Sequence, residues 1–318
     1  MSLNKPIYKL RDWVDIDKLN WKYLSLNKNA ISLLKENPDK IIWDNLLLNK
    51  NAIEIIKENP DKINWKYLSL NKNAMELLSN NQDKIDWYHL SKNENALYLL
   101  EANRDKIDWD NLLLNKNAIR LLYENPDKIN WKYLSGNQNA IKVLSENSHK
   151  INWHYLSGNK NAIQLLSENQ DKIIWTSLAL NENAIELLSN NPDKIYWNFL
   201  SFNKNAISLL VKNPDKINWS ALSSNKNAVS LLKENSFKID WKYLSNNKNA
   251  IELLEENQDK IDWNYLSNNP AIFELDYEKM RENKIHMNLY EDLIKEVMKP
   301  SRVFKNPDYD YIEEMFGD

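Results

Sequence analysis

Apolar and polar positions recur along this chain with a period of 22 residues. In 125–146 the order is Asn-Pro-Asp-Lys-Ile-Asn-Trp-Lys-Tyr-Leu-Ser-Gly-Asn-Gln-Asn-Ala-Ile-Lys-Val-Leu-Ser-Glu, and it starts again at Asn147. The marker is a tryptophan: Trp21, Trp43, Trp65, Trp87, Trp109, Trp131, Trp153, Trp175, Trp197, Trp219, Trp241 and Trp263, every interval being 22 residues. A short period without insertions is the mark of stacked supersecondary units.

Each unit carries two helix signals. The first runs from Asn130 through Ser135. Asn or Asp precedes the Trp in nine of the twelve units, which is the chemistry of a helix N-cap. On a helical wheel Trp131, Leu134 and Ser135 share a face, while Lys132 and Tyr133 lie away from it. The second helix is expected from Asn137, again read as an N-cap, with Ala140, Ile141, Val143 and Leu144 as its apolar stripe. It should stop near Asn147 in a left-handed C′ conformation, and the Pro after Asn37, Asn59 and Asn125 reinforces the stop. A competing reading joins Pro126–Ser135 into one longer helix. A leucine-rich repeat has a similar period, but Lys92, Gly136, Ser224 and Asn246 fall where its strand would point inward.

Helices of about two turns do not persist alone. Roughly six apolar side chains per unit contribute ~1.5–3 kcal/mol each, against about 1.5 kcal/mol per ordered residue. One unit cannot fold by itself; stacked units can. The expected fold is therefore all-α: a right-handed α-solenoid of two-helix repeats with terminal caps. Residues 1–20 are expected to be an N-terminal cap over the first repeat's apolar face. Residues 21–275 form eleven full repeats and a partial twelfth, and 276–318 form a helical C-terminal cap with an acidic tail. The Trp column, twelve residues long, is expected to be a structural ladder inside the stack. Trp13 stands out of register, eight residues before Trp21.

Composition narrows the function. The net charge is −3, which argues against a general nucleic-acid binder. No Cys is present and Gly occurs only three times, so neither a thiolate metal site nor a phosphate-cradling loop is available. The start lacks the apolar stretch of a signal peptide, and no apolar run reaches the roughly 18 residues of a membrane span. The expected location is intracellular. The four histidines are scattered, and His149 and His154 stand five apart rather than the three or four that put two ligands on one helix face. No nucleophile, acid–base pair, metal set or cofactor motif emerges, and the chain reads as a non-enzyme.

The unit resembles the 22-residue tandem repeats of uncharacterised proteins encoded by large DNA viruses of protists. The group's signature is Asn-Pro-x-Ala-Ile, then Leu-Leu, then Asn-Pro-Asp-Lys-Ile-Asp-Trp-x-x-Leu-Ser, carried here for example by 181–188 and 191–197. The end of the repeats is also similar, from Asn269-Pro270-Ala271-Ile272 through Leu293-Ile294, Pro300 and Arg302, with Lys299 where the group has His. The resemblance implies a viral protein, in host cytoplasm or virion, and a helical solenoid. It carries over no catalytic residue.

Departures from the consensus hold the functional information. Ile42, Ile174 and Tyr196 replace the N-cap, and His149 and Phe237 replace the Asp before Lys. Ile174 and Tyr196 share a column in adjacent repeats, close to Phe199, Phe202 and Val211. Local rules broken without structural gain point to function, so these five are the expected partner-binding residues. The leading reading is a scaffold for another protein. The alternatives are a structural component of a virion or viral factory, and a nucleic-acid-binding helical repeat.

Overall fold

The computed structural model describes residues 6–286. Residues Leu10–Phe273 make one compact unit, the repeat body, and the described residues outside it, 6–9 and 274–286, belong to another. In the second unit the Asp276 N–H donates to the Ile7 carbonyl at 2.9 Å, and Lys9 faces Glu274 at 3.5 Å. The chain's one sheet pairs β1 (Tyr8–Leu10) with β2 (Phe273–Leu275) among the described residues. A helix, Tyr277–His286, follows. The apolar stripe expected from Leu289 to Met298, and the acidic tail, lie outside the described residues.

The repeat body is an all-α solenoid. Each repeat has three parts: an A helix beginning at the Trp, a B helix beginning four residues after the conserved Asn, and a 3-10 turn at Pro-Asp-Lys. In the sixth repeat the A helix is Trp131–Leu134, the B helix Ile141–Glu146 and the turn before the Trp Pro126–Lys128. Ile129 and Asn130 are extended, so the turn and the A helix stay separate elements instead of the one long helix of the competing reading. The nine Asn and Asp caps do accept a backbone N–H of the first helical turn, whereas Ile42, Ile174 and Tyr196 make no cap bond.

The buried core is built on the columns of Leu134, Ala140 and Leu144, joined in most repeats by the Ile of the lead-in and in several by the Val143 position. The Trp column is not among them. All twelve are half-buried. Each Trp starts its A helix on the flank of the core, and in nine of twelve cases the Lys of the next 3-10 turn covers its ring, as Lys150 covers Trp131 at 4.6 Å. In the other three, Lys62, Lys128 and Lys216 turn to the preceding Asp. The lysine column, which alone would suggest a solvated charged face, is thus largely a row of cation–π lids.

Two further expectations are corrected. The B helix does not start at Asn137: its N-cap is Ala140, and Asn137–Ala140 is a turn in which the Asn139 N–H donates to Asn137 Oδ1. The helix does not end in a left-handed residue either. Asn147 has φ −129°, and its amide donates to the Val143 carbonyl at 3.0 Å, capping the last turn with its side chain.

The conserved Asn at the turn joins repeats. The buried Asn159 donates from Nδ2 to the carbonyls of Ser135 and Asn137 in the preceding repeat, at 3.2 and 3.0 Å, while its Oδ1 accepts from Asn161 N–H. Only an amide can do both, since a carboxylate has no donor. Asn161 donates likewise to the Gln138 carbonyl. The Ser before the turn is a second joint: Ser135 Oγ donates to the Trp131 carbonyl and accepts from Asn152 N–H.

The stack closes on itself. Asn27 in the first repeat donates to the carbonyls of Ser267 and Asn269 in the last, at 3.2 and 3.1 Å. Asn29 donates to the Pro270 carbonyl, Asn20 N–H to Ser267 Oγ, and Lys18 lies over Trp263. Every one of these bonds has the partner found at the internal interfaces, displaced by twelve periods. The segment expected to cap the first repeat instead supplies missing parts of the twelfth. The 3-10 turn Ile16–Lys18, buried Leu19 and the cap Asn20 complete a repeat whose A helix is Trp263–Ser267. The first repeat's apolar face is covered by that twelfth repeat.

Candidate protein-interaction surface

Closure decides which surfaces face solvent. Neighbouring A helices approach more closely than neighbouring B helices do. In a closed circle the more tightly spaced layer has the smaller radius, so A helices form the inner wall of the repeat body and B helices the outer. Side chains on the free side of the A helices therefore line the inner face.

The five sequence-selected residues are all exposed: Ile174 by 38%, Tyr196 51%, Phe199 41%, Phe202 49% and Val211 52%. Tyr196 stands just before the A helix Trp197–Leu200, Phe199 lies within it, and Phe202 follows two residues after its end. The Phe199 N–H donates to the Tyr196 carbonyl and the Phe202 N–H to the Phe199 carbonyl, both at 3.1 Å. Ile174 occupies the Tyr196 position one repeat earlier. Val211 does not join them. It ends the B helix Ile207–Val211, in the outer layer.

Leu180 was missed by sequence reasoning. It is 47% exposed and holds the Phe202 position one repeat earlier. The signal was available: that column also holds Lys, Gly, Ser and Asn in other repeats, so its Leu members face solvent too. With Leu180 the apolar set on the inner wall is Ile174, Leu180, Tyr196, Phe199 and Phe202.

The same stretch lacks a joint as well as two caps. Ala179 stands where most repeats have the bridging Ser, so the Tyr196 N–H has no Oγ to bond. Leu47 and Leu113 remove the same bond from Asn64 and Asn130, but both of those retain their caps. Only Tyr196 loses cap and joint together.

The polar columns are otherwise spent on structure. Glu94 is bridged by Lys72 and Lys116, and Glu182 by Lys160 and Lys204, and hydrogen bonds from these ammoniums hold both carboxyls below the usual range. His89 Nδ1 lies 2.9 Å from Asp86 Oδ1. Burial pushes the Asp86 carboxyl up, but hydrogen bonds from the His89 N–H and ring outweigh it and the carboxyl sits low. Among the described residues no three His, Asp or Glu side chains converge as a metal set, and no helix is long and apolar enough to cross a membrane. Comparison with protein-family models, curated proteins and solved structures finds no match.

Proposed function

We propose that this protein is a non-enzymatic scaffold, of viral origin, that holds another protein on the inner wall of its repeat body. The observation that carries the reading is the cluster Ile174, Leu180, Tyr196, Phe199 and Phe202. Large apolar side chains are exposed there on adjacent A helices, at a cost of two N-caps of about 1 kcal/mol each. Aromatic anchors of this kind dominate protein interfaces, and contiguous exposed apolar patches mark them. Phosphate contacts would need cations, and this cluster has none.

The test is the double variant Ile174→Asn with Tyr196→Asp, which restores both consensus caps. It is expected to match or exceed the parent in thermal stability and to lose a partner that the parent captures from infected cells. Retention of that partner by the stable double variant would reject the surface.

A further inference from the structure

A second surface lies at the seam where the stack closes, on the rim formed by the turns after the A helices. One position per repeat on that rim is charged in ten of the twelve repeats, mostly Lys. Four of its lysines are neutralised by Glu94 and Glu182. Among the described residues Lys28 and Lys50 have no acidic partner, and both are exposed. Their backbones are fixed, because their carbonyls accept from Asn51 and Asn73 at 2.9 Å. Between them opens a cleft of about 280 Å³ whose apolar wall is Leu26 and Leu48 and whose far side is Asn268 and Pro270. The cleft exists because the composite twelfth repeat places Pro270 where other repeats have a long polar side chain. Lys226 and Lys248 also lack acidic partners among the described residues, but Ser224 and Asn246 stand in their repeats where Leu26 and Leu48 stand here.

We infer that this cleft binds an extended acidic peptide, with an aliphatic side chain between two carboxylates. The ammoniums sit one repeat apart, and packed helices are spaced by about 8–10 Å. An extended chain covers about 3.3 Å per residue with side chains alternating between faces, so two carboxylates four residues apart and an aliphatic group midway share one face, and the flexible lysine stems span the remaining distance. The aliphatic group then enters the cleft between Leu26 and Leu48. Charge complementarity supplies orientation and the apolar wall supplies burial. A nucleic acid fits worse, because no aromatic side chain lines the cleft to stack a base. Leu26 and Leu48 share a column with Leu180 and Phe202 but stand seven repeats away from them, so this surface is separate from the cluster around Tyr196.

The experiment uses the full chain and fluorescein-labelled Gly-Glu-Ala-Leu-Ala-Glu-Gly, read by anisotropy at about 0.15 M salt. The peptide is expected to bind with affinity weakened at least about tenfold by Lys28→Ala with Lys50→Ala. Leu48→Ala is expected to weaken it as well. Lys226→Ala with Lys248→Ala, on the same rim, should change it less than about twofold, and Ile174→Asn with Tyr196→Asp should leave it unaltered. Thermal unfolding confirms that each variant is folded. The proposal is overturned by no binding up to about 1 mM peptide, by equal binding of the version with Gln for both Glu, by insensitivity to the Lys28/Lys50 pair, or by stronger competition from an oligonucleotide of matched charge.

Discussion

At the scale of single residues, the repeat is held by side chains that each make several bonds. Ser135 and Asn159 serve two elements at once, which is why small polar residues occupy buried positions that would otherwise penalise them. The three exceptions to the Ser column make this testable. Ala179 is fully buried and the hydroxyl of a Ser there would find the Trp175 carbonyl and the Tyr196 N–H. Ala179→Ser is therefore expected to stabilise the protein by about 0.5–1.5 kcal/mol in urea unfolding. A loss of stability would mean that the joint does not transfer to this repeat. The Trp column gives a second expectation. Because Trp131 is half-buried under Lys150, Trp131→Ala should cost about 2–3 kcal/mol, less than the ~3–5 of a fully buried aromatic. A cost at or above that range would place the ring in the core after all.

At the scale of elements, A helices of four to six residues and B helices of five or six survive because neighbours on both sides supply what their length cannot. Ion pairs between adjacent repeats add a small pH-dependent share. The carboxyls of Glu94 and Glu182 are lower in the folded state than the unfolded value of about 4.3. The sign follows from that shift: their contribution is complete above the unfolded value and is lost as pH falls through the folded one. Both pairs are largely solvated, so each contributes under about 1 kcal/mol. Glu94→Gln with Glu182→Gln is expected to be slightly less stable at pH 7 and to converge with the parent near pH 3. A constant difference across that range would assign the effect to something other than charge. The two helices per repeat, the nine caps and the three missing caps were legible in the sequence, since a cap is a local bond between a side chain and its own next turn. The roles of Asn137 and Asn147 were not. Their spacing fits a cap equally well, and the carbonyls that Asn137 reaches belong to another repeat.

At the scale of the whole repeat body, closure replaces terminal capping. A linear solenoid leaves two apolar end faces that need polar caps; a closed one has none, as a closed barrel has no edges. Twelve repeats sharing one turn require a rotation of about 30° at each interface. The seam should then be as strong as an internal joint. Asn27→Ala, at the seam, and Asn159→Ala, at an internal interface, are both expected to cost about 1–3 kcal/mol, because the Ser267 or Ser135 carbonyl loses the amide while the Asn269 or Asn137 carbonyl keeps only a backbone N–H. Comparable midpoints in urea support the closed arrangement. A silent Asn27→Ala beside a costly Asn159→Ala would indicate an open stack with frayed ends. Deleting 1–20 removes the parts that complete the twelfth repeat, and the product is expected to self-associate in size-exclusion chromatography through its bared faces. Monomeric behaviour would deny those residues that role.

The sequence by itself determined the period, the all-helical class, the number of Trp-marked units and the positions where the pattern breaks. These follow from bonds and burial within 22 residues, repeated until no other fold satisfies them. It also pointed to Ile174, Tyr196, Phe199, Phe202 and Val211, because Ile174 and Tyr196 break an N-cap column that is Asn or Asp in nine repeats and the other three lie close to them. What only the tertiary structure decided is the layer each column occupies and the fate of the ends. Whether a Trp on the apolar face is core or flank depends on how far the Leu and Ala columns already fill the interior. Whether a stack of repeats runs open or closes depends on a small rotation at each interface, summed over twelve. No single repeat records that sum, yet it brings Lys18 to Trp263, Asn27 to Ser267, and Lys28 and Lys50 to the cleft beside Pro270.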